Sequence, residues 1–148
     1  MMGADNWQGS TVFLVSCVGK KMDAPAAARH LYISEWFLRA REYVEATGCP
    51  WFILSAKYGL TSPDEIVAPY ERTLNQMGIS ERREWASRVK SQMEERLPEA
   101  DRFVIFAGQR YREFLSEYLS RRATVEVPLE GLRIGEQLSW FGRHGPSR

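Results

Sequence analysis

The run Trp51-Phe-Ile-Leu-Ser-Ala-Lys-Tyr-Gly-Leu60 narrows the choice of fold more than any other stretch of this chain. Apolar residues of buried-strand type stop abruptly at small, basic and phenolic side chains, and Pro63-Asp-Glu65 and Pro69-Tyr-Glu71 follow. An earlier run, Thr11-Val-Phe-Leu-Val15, stops the same way at Ser16-Cys-Val-Gly-Lys-Lys21. Continuous rather than alternating apolar strands are what a sheet covered on both faces requires. Ligands of open α/β sheets bind just past the carboxyl ends of such strands. Two strands emptying polar groups onto one edge therefore point to an active site.

Helical spacing fills the intervals between these runs. Ile33, Trp36, Phe37, Ala40, Tyr43 and Val44 predict a helix over about 26–47, which Gly48 ends. After a strand at 51–55, a long polar loop runs to Gly78, where Pro63 and Pro69 deny a regular helix. Ser80 is the expected N-cap of a helix over 80–97, with Glu81 and Glu84 in its first turns and Trp85, Val89 and Met93 as its buried stripe. A third strand, 102–107, ends at Gly108, and Tyr111, Phe114, Leu115, Tyr118 and Leu119 continue as a helix. A fourth strand at 124–127 and a short helix at 134–141 close the pattern. The 148 residues fit one α/β domain over 11–141, between a flexible leader at 1–10 and a basic tail at 142–148. The order predicts a three-layer α/β/α sandwich around a mostly parallel four-stranded sheet.

Several functional classes fall away on composition. No apolar run approaches the roughly 18 residues of a membrane span, and no signal peptide is evident, so a cytoplasmic protein is expected. A net charge of +1 gives no global field for nucleic acid, although a local patch would suffice for a contact. Cys17 and Cys49 cannot form a metal cage with His30 and His144, and no disulfide is expected between them. Walker, dinucleotide and Gly-x-Ser-x-Gly patterns are absent, so neither a metal nor an organic cofactor is called for.

The rim that remains carries a definite chemistry. Ser16, Cys17, Lys20 and Lys21 follow the first strand, where a turn can offer backbone N–H groups to an anion; solvated loop lysines are the plainer alternative. Ser55, Lys57 and Tyr58 follow the second, where the phenol can stack on a planar base or merely cover the sheet edge. Asp64, Glu65, Tyr70 and Glu71 lie on the long loop, and such loops are disproportionately functional. Each acid has a plainer role as a cap or as a partner of Arg72 or Arg82. Gly108, with Gln109 and Arg110, repeats the anion-binding logic at a helix start.

These motifs resemble a bacterial and phage family of small uncharacterised proteins. The matching residues are Ser16-Cys17 with Lys20 or Lys21, Leu31-Tyr32-Ile-Ser34 with Phe37, Leu54 to Leu60, and Pro69 to Leu74. The spacing of Tyr58, Gly59, Leu60, Pro63, Ile66, Pro69 and Tyr70 is also similar to the bacterial peroxide-stress DNA-binding family. The Ser-Cys…Lys and Tyr-x-Ser pattern is more loosely similar to the uracil-DNA-glycosylase-like domain of archaeal tRNA-modifying enzymes. The glycosylase motifs Gly-Gln-Asp-Pro-Tyr and His-Pro-Ser are not present.

The resemblance implies a uracil-DNA-glycosylase-like fold and a metal-independent N-glycosidase. Its expected substrate is a modified nucleobase of DNA, in phage defence. It brings Tyr32 into the substrate-binding set beside Ser16, Cys17, Lys20, Ser55, Lys57, Tyr58, Gly108 and Arg110. The expected catalytic set is Asp64, Glu71 and Tyr70: Asp64 or Glu71 would activate water, and Tyr58 or Tyr70 would stack on the base. Hydrolysis or transfer on a free nucleotide, and a non-enzymatic DNA-binding stress protein, are the rival expectations. The chain is expected as a monomer or homodimer.

Overall fold

Strand β1 (Thr11–Ser16) is buried along its whole length because it lies at the centre of the sheet. The computed structural model describes residues 10–17 and 19–145. Along the chain follow β2 (Ala26–Ala27), α1 (Ala28–Leu31), α2 (Glu35–Thr47), β3 (Trp51–Ser55), β4 (Gly59–Thr61) and β5 (Ile66–Val67). Then come α3 (Ile79–Arg96), β6 (Arg102–Phe106), α4 (Gln109–Arg112), α5 (Ser116–Arg122), β7 (Thr124–Glu126) and α6 (Ile134–His144). The main sheet has the order β4-β3-β1-β6-β7, and β2 pairs with β5 in a small antiparallel ribbon. β3, β1, β6 and β7 are parallel, with Val15 opposite both Ile53 and Phe106.

Successive residues of β1 face opposite layers, as the pleat requires. Val12 and Leu14 pack with Trp85, Val89 and Met93 of α3 and with Leu119 of α5. Phe13 and Val15 pack with Phe37, Ala40 and Val44 of α2 and with Phe141 of α6. Phe106 anchors the second layer, stacked on Phe13 at 5.9 Å and edge-on to Tyr43 at 5.6 Å and Phe141 at 5.2 Å. Each such fully buried side chain contributes about 1.5–3 kcal/mol of transfer free energy. The molecule is thus an α/β fold with a mostly parallel sheet between two helical layers.

Four expectations are corrected. The sheet has five strands, because β4 folds back antiparallel on β3 within the stretch expected to be an open loop. That stretch also contains β5 and a 3-10 turn at Leu74–Gln76. The helix expected over 26–47 is broken, because Tyr32 is extended and Ser34 caps a new helix by accepting the Phe37 N–H at 3.3 Å. Gly78, not Ser80, precedes α3, and the Glu81 carboxylate accepts its N–H at 3.3 Å.

The domain's ends differ as well. Ser10 is tied down rather than loose, since its N–H donates to Asp101 Oδ2 at 3.1 Å and its hydroxyl accepts the Asp101 N–H at 2.9 Å. α6 continues through His144, so residues 142–144 are helical and not tail. The rest of the expected leader, 1–9, and of the tail, 146–148, lies outside the described residues. Among the described residues no helix is long and apolar enough to cross a membrane.

Candidate functional site

The connections decide where a crevice opens. β1 leads into α2 on one face of the sheet, whereas β6 leads into α5 on the other. Their carboxyl ends therefore diverge, which is the topological switch point of an open α/β sheet. Cys17 follows β1 directly, only 2% exposed, and its thiol donates to the Leu54 carbonyl at 3.3 Å. Ser55 ends β3 and is fully buried. Its Oγ accepts the N–H groups of Lys57 at 3.2 Å and Tyr58 at 3.0 Å, which holds the turn into β4.

Tyr70 reaches this floor from the loop after β5. Its Oη lies 2.8 Å from Ser55 Oγ, 3.1 Å from Tyr32 Oη and 3.7 Å from Cys17 Sγ. Tyr58 braces the loop, donating from its hydroxyl to the Ala68 carbonyl at 2.9 Å and meeting the Tyr70 ring edge-on at 5.5 Å. Tyr32 is fully buried in the extended residue after α1. Backbone bonds from Met22 to Leu31 (2.8 Å) and from Ile33 to Lys20 (2.9 Å) fasten the segment after Cys17 to this turn. They set Lys21 Nζ 4.5 Å from the centroid of the Tyr70 ring, within range of a cation–π contact.

Burial keeps the cluster neutral. Desolvation pushes the Cys17 thiol up to about 11, although bonds from Tyr32 and Tyr70 and the charge of Lys21 pull the other way. It also raises both Tyr32 and Tyr70 well above the ordinary phenol value. Cys17 is consequently a structural thiol at neutral pH and not an activated nucleophile. Among the described residues no group of three or more His, Cys, Asp or Glu side chains could hold a metal ion.

A cleft of about 580 Å³ opens beside the cluster, with Lys20, Lys21, Asp23, Tyr70 and Glu71 on its walls. That volume lies within the range of ordinary small-molecule sites. A hollow of about 230 Å³ adjoins it across Glu71 and contains Arg72 and Thr73. A separate hollow of about 210 Å³ lies past β6, with Trp36, Gly108, Gln109, Arg112 and Gln137 around it. Gln137 bridges its two sides, accepting the Trp36 indole N–H at 2.7 Å and donating to the Leu132 carbonyl at 2.9 Å.

The structure brings together Cys17, Tyr32, Ser55 and Tyr70, and places Lys20, Tyr70 and Glu71 on one cleft. Ser16 is buried at the end of β1, but the hydroxyl of the cluster is that of Ser55. Lys57 is exposed and sits 5.2 Å from the Tyr58 ring. Gly108 belongs to the separate hollow, and Arg110 is exposed on α4 without lining either cavity.

Asp64 stands apart. Its carboxylate is 81% exposed and pairs with Arg29 at 2.9 Å, while Arg29 also holds Glu45 at 2.8 Å. Arg72 pairs with Glu81 at 3.6 Å and Arg82 with Glu113 at 2.7 Å, so neither is the partner of a loop acid. Asp23 and the placement of Lys21 on the Tyr70 ring went unrecognised in the sequence. Periodicity carries no signal for either, because a two-residue ribbon and a single bridge, Lys21 to Tyr32, position them.

An uncharacterised protein of Bacillus subtilis (strain 168), YfjM, is 27% identical to this chain in a match covering 88% of the chain and 91% of that protein. No solved structure matches at the same level of significance. A family of unknown function, DUF6884, matches over residues 12–143, from the second residue of β1 to the last turn of α6, and the chain belongs to that family.

Proposed function

We propose that the protein is an N-glycosidase that hydrolyses the bond between a nucleobase and its sugar, with a modified base of DNA as its substrate. One observation carries this reading: a nucleotide-sized cleft has two lysines and two carboxylates on its walls and a neutral phenol–hydroxyl cluster at its side. Lys20 and Lys21 would pair with phosphate, and Tyr58 and Tyr70 would contact a planar base. Glu71 takes the acidic role, since it lines the cleft and has no ion-pair partner among the described residues. Asp64 is committed to Arg29.

The chemistry balances with these groups. As the bond from sugar C1′ to the base nitrogen breaks, its electron pair leaves with the base and positive charge spreads over the sugar ring oxygen and C1′. The Glu71 carboxylate stabilises that charge and accepts a proton from the water whose oxygen bonds to C1′. The departing base is protonated from solvent. A base in a duplex would first be flipped out, at an unstacking cost of a few kcal/mol.

A second reading has its own support. Asp23 and Glu71 offset Lys20 and Lys21, so the cleft wall is charge-balanced, and this suits a free nucleotide better than a polyanion. The test is incubation with DNA carrying natural and modified bases, and with free nucleotides, followed by mass spectrometry of any released base. Release from DNA, with about a 10²–10⁴-fold loss in Glu71→Gln and unchanged binding, is the expected result. Release from monomers alone would select the second reading. Saturable DNA binding with no release would replace both by a non-enzymatic binding protein.

A further inference from the structure

We propose that the phenol of Tyr70 is the hydrogen-bond donor to the ligand group that gains negative charge, and that Ser55 is the positioning residue that aims it. The proposal deepens the N-glycosidase reading and rests on it in one respect: the charged group is then the departing base. Counting lone pairs fixes the proton order. Ser55 Oγ has two, and both are taken by the N–H groups of Lys57 and Tyr58. Its own proton can only be given away, and Tyr70 Oη receives it at 2.8 Å.

Tyr32 settles the rest. Its hydroxyl is fully buried, and a buried donor left unsatisfied costs about 1–3 kcal/mol. With the Ser55 lone pairs occupied and thiol sulfur a weak acceptor, the Tyr32 proton goes to Tyr70 Oη at 3.1 Å. Tyr70 Oη therefore accepts two hydrogen bonds while its own proton is directed only toward the Cys17 sulfur, 3.7 Å away. The Cys17 thiol is already spent on the Leu54 carbonyl. Tyr70 also lines the cleft.

A phenol that receives two donated bonds disperses charge well and is a strengthened donor to an anion. Such preorganised donors act most where charge develops during reaction. The recognised group is an acceptor on the edge of a planar heterocycle, a carbonyl oxygen or a ring nitrogen. Tyr70 is thereby a donor to the base edge, in addition to any contact its ring makes.

Two measurements test this. The first is the kcat and KM of base release by wild type and variants. Tyr70→Phe should lower kcat about 10²–10³-fold with little change in KM, as loss of an oxyanion-type donor does. Ser55→Ala should lower kcat less, with KM unchanged, and Ser55→Thr, which keeps the hydroxyl, should recover it. A Tyr70→Phe enzyme with wild-type kcat, or a folded Ser55→Thr enzyme no better than Ser55→Ala, would overturn the proposal.

The second measurement needs no turnover. Calorimetric titration with free uracil, cytosine and adenine should show at least tenfold weaker binding of one or more of them to Tyr70→Phe, with the fold confirmed by thermal melting. Binding that depends on Tyr70, in a protein that releases no base, would defeat the N-glycosidase reading and keep the donor. Equal binding by both proteins, or none by wild type, would sink the donor itself.

Discussion

The thiol of Cys17 shows how one buried group writes itself into the pH dependence of the whole fold. Burial raises it from 9.0 to about 11, so the folded state keeps a proton that the unfolded chain gives up earlier. The stabilisation is complete below pH 9 and disappears as pH rises toward 11, at about 1.4 kcal/mol per pH unit. Burial raises Tyr32 and Tyr70 too, and they add to the loss at still higher pH. Thermal melting should be insensitive to pH from 6 to 8 and fall steeply above 9, with a shallower fall between 9 and 11 in Cys17→Ala. Equal slopes in the two proteins would mean that the thiol is not protected as described. Cys49, only half-buried, should be alkylated by iodoacetamide well before Cys17. The sequence flags Cys17, Ser55 and Tyr70 because all follow strand ends or prolines, yet it cannot show that they touch. Tyr32 is hidden more deeply, since inside an apparent helix its phenol reads as one more core aromatic.

At the scale of elements, the antiparallel hairpin β3–β4 holds the turn that carries Lys57 and Tyr58, and α3 clamps its outer edge. Gln92 of α3 accepts the Leu60 N–H at 2.8 Å and donates to the Tyr58 carbonyl at 3.2 Å, while Arg96 donates to the Leu60 carbonyl. These side chains stand where a further strand would otherwise pair, which is how natural sheets protect an edge. Gly59 makes the approach possible: its φ is +74°, and a Cβ there would meet Gln92 Oε1 at 2.2 Å. Gly59→Ala should therefore destabilise by about 1–3 kcal/mol from backbone strain, with the displaced Gln92 adding to it. Gln92→Ala should cost about 1–3 kcal/mol by leaving the buried Leu60 N–H unpaired. Urea unfolding checks both, and a change under 0.5 kcal/mol, roughly that of a neutral surface substitution, would refute the clamp. Three of the parallel strands, β1, β3 and β6, were readable because each is a continuous apolar run bounded by turn residues, and β7 showed itself by Thr124 and Val125 ahead of Pro128. β4 was not, for Gly59-Leu-Thr61 follows Lys57 and Tyr58 without a new apolar run and pairs only because β3 and α3 flank it. The break before α2 did leave a trace: Ser34 followed by Glu35 is an N-cap signature inside what otherwise looks like one long helix.

For the whole molecule, the order β3-β1-β6-β7 matters more than the number of strands, because it creates the divergence over which Cys17 and Gly108 sit. Strand ends on one rim could be inferred from the sequence, whereas the face taken by each crossover helix could not. Charge at this scale decides between a nucleic acid and a monomer. The net charge of +1 gives little long-range attraction for a polyanion. Among the described residues the cleft itself offers only Lys20 and Lys21 as cations, against Asp23 and Glu71. Each phosphate neutralised on duplex DNA contributes about −0.9 to the slope of log affinity against log salt. Binding through this cleft alone therefore gives a slope near −2, and Lys20→Ala or Lys21→Ala should each remove about one unit of it. A titration of affinity between 50 and 200 mM salt, roughly the range where such slopes are read, measures the number directly. A slope of about −6 or steeper, unaffected by the two lysine variants, would place DNA on a different surface and separate it from the Tyr70 cluster. A slope near −2 that the variants halve would tie phosphate recognition to the segment that Tyr32 and Tyr70 hold in place.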